Sequence, residues 1–178
     1  AQDKFVVGTV GRLAEQKNPF FAIDVFAELL KKVPDAEYWW AGSGPLQEQV
    51  KTYVEEKKLT NYVKLLGSRN DTAELYQGMD VFFLPSFFEG LPVTGVEAQA
   101  MGLPMVVSDT VTCEMVYTDI VDYVCLSDTL ETWASRLETA LRKKTEREQY
   151  TERLKQSAFS DVGCGNRLEQ VYSRWING

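Results

Sequence analysis

Two carboxylates, Glu89 and Glu97, stand with seven residues between them in the stretch that opens Pro85-Ser86-Phe87-Phe88-Glu89-Gly90-Leu91-Pro92. Glu89 belongs to a loop. Glu97 lies about five residues into a helix read as Pro92 to Met101, roughly 7.5 Å from its start at ~1.5 Å per residue. Helical side chains tilt toward the amino terminus, so the Glu97 carboxylate can lean back toward the loop. Both acids can then face one ligand. Carboxylates accept paired hydrogen bonds from vicinal hydroxyls, which suits a sugar or a ribose. The same pair suits acid–base chemistry, and two solvated or capping glutamates are the plain alternative. The apolar neighbours Val96, Ala98 and Ala100 predict partial burial of Glu97. Gly90 exposes loop amides. Gly95, at a cost of ~1 kcal/mol relative to Ala inside a helix, predicts a close approach.

A second candidate is Gly11-Arg12-Leu13-Ala14-Glu15-Gln16-Lys17-Asn18. It follows a strand and precedes a helix. Arg12 and Lys17 suit a diphosphate there, one as a planar fork and the other as a point charge; a solvated loop with ordinary surface charges is the alternative. In Gly42-Ser43-Gly44-Pro45 the glycines either let the backbone approach an anion or make a tight turn with positive φ. This is no dinucleotide fingerprint and no P-loop, because neither Gly-x-Gly-x-x-Gly nor Gly-Lys-Ser/Thr follows. Asp80 opens a strand at the far edge and reads as structural; Asp109 reads as a turn former. Trp39, Trp40, Phe82 and Phe83 read as core. The charged run Arg142 to Glu148 reads as a solvated helix face.

These residues need a scaffold. The 178-residue chain is about one domain, with 44% hydrophobic and 25% charged residues, ordinary for a globular protein. Short apolar runs alternate with helical periods. Strands are expected at 4–10, 37–41, 63–66, 80–84, 104–108 and 121–126, and mostly helix after Asp128. Asn18 and Asp71 are expected as helix caps, with Pro19 and Pro45 opening helices. The pattern predicts an α/β, Rossmann-like, doubly wound parallel sheet of about six strands. Ligands in such sheets sit at the carboxyl ends of the strands, so the loops 8–18, 42–45, 67–71, 85–92 and 108–113 should share one edge.

The formal net charge is −7, from 19 basic and 26 acidic residues. That argues against a nucleic-acid binder, which needs a basic footprint. No histidine is present, so no His-based triad or His metal site can form within the chain. Cys113, Cys125 and Cys164 read as reduced thiols of a cytoplasmic protein. No run of ~18 apolar residues predicts a membrane span, and Ala1-Gln2-Asp3-Lys4 reads as neither a signal nor a transit peptide.

Taken in order, Val10-Gly11-Arg12-Leu13 with Gln16-Lys17-Asn18, Gly42-Ser43-Gly44-Pro45, Leu66-Gly67-Ser68-Arg69, Pro85-Ser86 with Glu89-Gly90-Leu91-Pro92 and Glu97-Ala98, and Gly102-Leu103-Pro104 resemble glycosyltransferase family 4. The likeness runs from about residue 5 to residue 126, and its wording is nearest to bacterial capsule and exopolysaccharide transferases. It implies the GT-B fold, of which this chain would be the carboxy-terminal, nucleotide-sugar-binding half. Residues 1–178 would form that single domain, with 161–178, including Asn166 to Trp175, as a helix crossing back to an amino-terminal acceptor-binding half. The resemblance implies a retaining hexosyltransferase that uses a UDP- or GDP-linked sugar, without a metal or other cofactor, in capsular, exopolysaccharide or cell-envelope glycan synthesis. It would work in the cytoplasm without membrane insertion, brought to the inner membrane face through the other half. Arg12 and Lys17 match the residues at the donor diphosphate and Glu89 the carboxylate at the donor sugar, with Gly90 and Leu91 amides nearby. Glu97 matches the carboxylate on the ribose, Gly44 a backbone approach point, and Arg69 the place of the base. Many relatives carry a Gly-Gly pair where this chain has Val111-Thr112-Cys113-Glu114, which leaves Glu114 without an assigned role. A sugar-nucleotide epimerase of the same fold and a non-catalytic nucleotide-binding module are the alternatives.

Overall fold

A computed structural model describes residues 4–143, 145–160 and 163. The expected crossing helix at 161–178 and Cys164 lie outside the described residues, Gly163 aside. Six strands, β1 (Val6–Val10), β2 (Glu37–Ala41), β3 (Val63–Gly67), β4 (Val81–Leu84), β5 (Met105–Ser108) and β6 (Val121–Val124), form one sheet in the order β3-β2-β1-β4-β5-β6. Every neighbouring pair is parallel. The helices are α1 (Pro19–Leu30), α2 (Gln47–Glu56), α3 (Thr72–Gly78), α4 (Val93–Ala100), α5 (Leu130–Leu141) and α6 (Arg147–Gln156). This is the doubly wound architecture that the alternation of apolar runs predicts.

Successive side chains of a strand point to opposite faces, and two cores result. On one face Val7, Tyr38, Trp40 and Phe83 pack with Ile23, Phe26 and Leu29 of α1 and Trp133 and Leu137 of α5. On the other, Val6, Val10, Phe82 and Leu84 pack with Leu75 and Tyr76 of α3 and Ala98 of α4. Each large apolar side chain buried this way contributes roughly 1.5–3 kcal/mol relative to exposure. Trp40, Phe82 and Phe83 are core residues, while Trp39 is only half-buried. The buried Thr9 hydroxyl donates to the Phe83 carbonyl at 2.6 Å and bonds the Tyr38 hydroxyl at 2.8 Å. Asp80 fastens the strand starts, its carboxylate accepting from the Val6 N–H at 2.7 Å. Asp109 lies in the turn after β5 and accepts from the Leu126 N–H, beyond β6, at 3.3 Å.

Three local readings differ. Pro45 does not open α2, which starts at Gln47 with Leu46 at its cap position. Asn18 and Asp71 occupy the cap positions of α1 and α3, but neither side chain bonds its helix. Asn18 takes a left-handed φ of 53°, which its short polar side chain tolerates, and Asp71 instead holds Arg69. The run Arg142 to Glu148 is not one solvated helix face, because α5 ends at Leu141 and α6 starts at Arg147. The Arg147 guanidinium folds back onto the carboxy-terminal end of α3, donating to the carbonyls of Tyr76 (3.3 Å), Gln77 (3.1 Å) and Met79 (2.5 Å). Thr145 and Thr151 likewise donate to the carbonyls of Gly102 (2.7 Å) and Ala100 (3.1 Å), around the end of α4. Carbonyls at a helix end lack intrahelical partners, so the α6 region caps the two helices whose other ends face the site.

Candidate functional site

The strand order reverses between β1 and β4, since the chain moves outward to β2 and β3 before returning. A crevice opens beyond the carboxyl ends of the strands at such a switch point. The loop after β1 carries Arg12 and Lys17, and the loop after β4 carries Glu89. The two central loops of the sequence reading therefore meet at the place where a doubly wound sheet binds ligands.

They meet through side chains. The Lys17 ammonium donates to Glu89 Oε1 at 2.5 Å, with only 13% and 8% of the two side chains exposed. Ser86 donates to the same oxygen at 2.7 Å. Gln16 Nε2 donates to Glu89 Oε2 at 3.3 Å and to the Phe88 carbonyl at 2.9 Å, and the Gln16 carbonyl accepts from the Phe87 N–H at 2.9 Å. A Cβ on Gly11 would lie 3.0 Å from Cε of Lys17, so the lysine stem crosses close above that glycine. Lys17 and Glu89 thus form one ion pair, where the resemblance implied separate contacts with diphosphate and sugar. Oppositely charged groups on two loops brought to one edge, and largely shielded from water, pair with each other. An ammonium has three donors, so Lys17 keeps two beyond its bond to Glu89. Arg12 is exposed, and its side chain bonds no described residue.

Glu97 stands on α4 and is exposed, contrary to the burial its apolar neighbours predicted. Ala98 and Gln99 take the buried face of the helix, which leaves Glu97 on the rim. Its Oε2 accepts from the hydroxyl of Tyr76 on α3 at 2.8 Å. Burial, followed by the bond to Glu97, pushes the Tyr76 phenol far above its ordinary value, so it stays a donor. Gly95 does serve close packing, but against Met115, whose sulfur would lie 2.6 Å from an added Cβ.

The Gly42-Ser43-Gly44 turn supports the Arg12 loop. Gly42 has φ of 141°, and a Cβ there would sit 2.0 Å from the Gly11 carbonyl oxygen. A Cβ on Gly44 would sit 2.2 Å from the Leu13 carbonyl oxygen. The close approach at Gly44 is therefore to the chain's own backbone, where the resemblance implied a ligand. The Leu13 N–H donates to the Ser43 carbonyl at 3.1 Å, and Ser68 bonds Ser43 at 2.9 Å. At the other end, Ser108 and Thr110 both donate to the Ser86 carbonyl, at 2.5 and 2.8 Å. The five loops are stitched in sheet order along one rim. Arg69 pairs with Asp71, and the guanidinium holds that carboxyl below its usual range. Arg69 also lines a hollow of about 190 Å³ with Gly11, Gly42, Ser68 and Thr72. Gly90 and Leu91 are exposed beside Glu89, and Glu114 is exposed on a short 3₁₀ turn.

Sequence reasoning gave no role to Gln16, Ser86 or Tyr76. The first two sit within the quoted motifs, one beside Lys17 and one three residues before Glu89, and that adjacency is the signal available. Tyr76 carries none, because an aromatic residue on a short amphipathic helix reads as core.

The sequence profile of the family described as glycosyl transferases group 1 matches residues 1–157. The chain belongs to this family. It is 34% identical over 175 residues to a Bacillus subtilis protein named as a glycosyltransferase, EpsF, covering 97% of this chain and 46% of that protein. It is 37% identical over 111 residues to the Escherichia coli UDP-Gal:alpha-D-GlcNAc-diphosphoundecaprenol alpha-1,3-galactosyltransferase, covering 61% of this chain and 29% of the enzyme. This group 1 chain therefore spans about half the length, or less, of these relatives. Among solved structures, Anabaena Alr3699/HepE in complex with UDP superposes with a TM-score of 0.81 at 22% identity, covering 97% of this chain and 49% of that one. The pneumococcal O-GlcNAc transferase GtfA, in complex with UDP and GlcNAc, gives 0.80 at 18% identity, covering 100% of this chain and 37% of that one. The likeness to both shows the fold. Among the described residues, no helix of this glycosyltransferase-family chain is long and apolar enough to cross a membrane.

Proposed function

We propose that this chain is the donor-binding half of a retaining glycosyltransferase. The parent protein would transfer a hexose from a nucleoside-diphosphate sugar to an acceptor hydroxyl in capsular, exopolysaccharide or cell-envelope glycan synthesis. The observation that carries the reading is the meeting of the Arg12–Lys17 loop with the Glu89 loop at the β1–β4 switch point, flanked by Glu97 with its Tyr76 partner. Family membership and the names of the bacterial relatives support it.

Cleavage of the donor leaves negative charge on the departing diphosphate. Arg12 and the two remaining Lys17 donors would stabilise that charge electrostatically, in the place a divalent metal takes elsewhere. Glu97, kept on the rim by Tyr76, would accept the ribose hydroxyls. Glu89 would meet the sugar, with the Gly90 and Leu91 amides beside it. The hollow beside Arg69 lies at the carboxyl ends of β1, β2 and β3, a reasonable seat for the base. We take UDP as the nucleotide, on the strength of the UDP-bound neighbours and the UDP-Gal relative. An acceptor-binding half of the parent protein would hold the acceptor, and retention would follow from attack on the face the diphosphate leaves. Calorimetric titration with UDP, GDP, uridine and guanosine tests the reading. UDP should bind, more tightly than GDP and more tightly than uridine. Removing Arg12 should weaken UDP about tenfold to a hundredfold, the worth of one or two charge-assisted bonds, and leave uridine alone. A chain that binds none of the four, or that ignores Arg12→Ala, sinks the proposal.

A further inference from the structure

We infer that Gln16 is a positioning residue for Glu89, setting the orientation in which that carboxylate meets the donor sugar; the inference rests on the function proposed above. Gln16 spends its amide and its carbonyl on the opposite loop. Nε2 donates to Phe88 O at 2.9 Å and to Glu89 Oε2 at 3.3 Å, while the backbone carbonyl takes the Phe87 N–H at 2.9 Å. The other carboxylate oxygen, Oε1, is engaged twice, by Lys17 and by Ser86. Oε2 is therefore the oxygen with room for a sugar hydroxyl, and Gln16 is its protein donor. The terminal torsion of a glutamate is broad and roughly two-fold. A carboxylate held only through Oε1 can pivot about that oxygen, and a donor on Oε2 removes the pivot. Holding a contacting group in one orientation is where such second contacts act. The side chain also ties the backbone at Phe88, beside the Phe87 N–H that the Gln16 main chain holds.

Gln16→Met keeps the side-chain length and removes the donor. Gln16→Glu keeps the shape but places a second carboxylate against Glu89. The assay is calorimetric titration of this chain with UDP and with UDP-glucose, UDP-galactose and UDP-N-acetylglucosamine, at pH 8 and pH 5, with melting temperatures alongside. The readout is the ratio of affinities, best sugar nucleotide over UDP. Gln16→Met should lower that ratio about threefold to tenfold, the worth of one ordinary hydrogen bond, as suits a contact of 3.3 Å. Gln16→Glu should lower it further at pH 8 and recover toward wild type at pH 5, since two facing carboxylates come to share a proton as the pH falls. The terminal phosphate of UDP gains a proton at about pH 6 and the esterified diphosphate of a sugar nucleotide does not. The wild-type ratio itself therefore rises on acidification, and recovery is read as each variant's ratio divided by the wild-type ratio at the same pH. A wild-type preference that survives in both variants overturns the inference alone. Equal losses for UDP and the sugar nucleotides, tracking a lower melting temperature, also overturn it, because they mark a merely structural residue. A wild-type chain with no preference for any sugar nucleotide overturns the Glu89 assignment and this inference together.

Discussion

Replacing Lys17 by methionine removes the ammonium from a pair whose carboxylate is only 8% exposed. Breaking a buried ion pair from one side costs about 3–5 kcal/mol, because the surviving charge stays out of water without its partner. Here the surviving carboxylate keeps Ser86 and Gln16 as donors and lies at a sheet edge, so the expected cost falls to about 2–3 kcal/mol. For a chain of this size 1 kcal/mol moves the melting temperature by about 2–4 °C, giving a drop of roughly 4–12 °C. Adding Glu89→Gln to Lys17→Met removes the stranded charge, so the double variant should be more stable than Lys17→Met. Glu89→Gln alone should cost less than Lys17→Met, about 1–2 kcal/mol, because a lysine freed of its partner can extend into water. Urea unfolding of the wild type, both single variants and the double variant closes the cycle. Two results refute the reasoning: Lys17→Met within 0.5 kcal/mol of wild type, or a double variant no more stable than Lys17→Met.

Glu97→Ala should weaken uridine and UDP by similar factors in calorimetry, because a ribose contact is common to both. Tyr76→Phe should do the same more mildly, about threefold to tenfold, through the lost hydrogen bond to Glu97; a nucleotide affinity that ignores Tyr76→Phe removes that support role. Gly44→Ala drives a Cβ into the Leu13 carbonyl and should lower the melting temperature by several degrees, the mark of an overpacked backbone contact. Burial pushes the Tyr38 phenol well above its ordinary value. The folded chain then holds that proton above ~pH 10 while the unfolded chain releases it, so stability should fall as the pH rises past ~10. Urea unfolding between pH 8 and 11 checks this, and Tyr38→Phe should flatten part of the slope.

The parallel sheet was legible because fully buried strands leave unbroken apolar runs, as in Asp80-Val81-Phe82-Phe83-Leu84, and because Pro and Gly punctuate the connections. Given that sheet, the rule that ligands lie at the carboxyl edge placed Arg12, Lys17 and Glu89 on one rim with no further information. What spacing could not say is which charges meet. Lys17 and Glu89 are 72 residues apart, and only the β1–β4 adjacency makes them partners. Burial of Glu97 was misread because three apolar neighbours were counted without asking which helix face they occupy. At Gly44 the missing Cβ signalled a close approach without naming what approaches, and the Leu13 carbonyl is what lies there.

The Arg147 guanidinium and the two threonine hydroxyls that cap α3 and α4 come from a segment 43 to 71 residues further along the chain. Those two helices carry Tyr76 and Glu97. Helix ends fray first when their carbonyls lose partners, and segments that share such contacts open as one unit. In amide hydrogen exchange, the last turns of α3 and α4 should therefore open together with α6. The rim that would hold the ribose is thus coupled in stability to a helix that forms no part of the sheet.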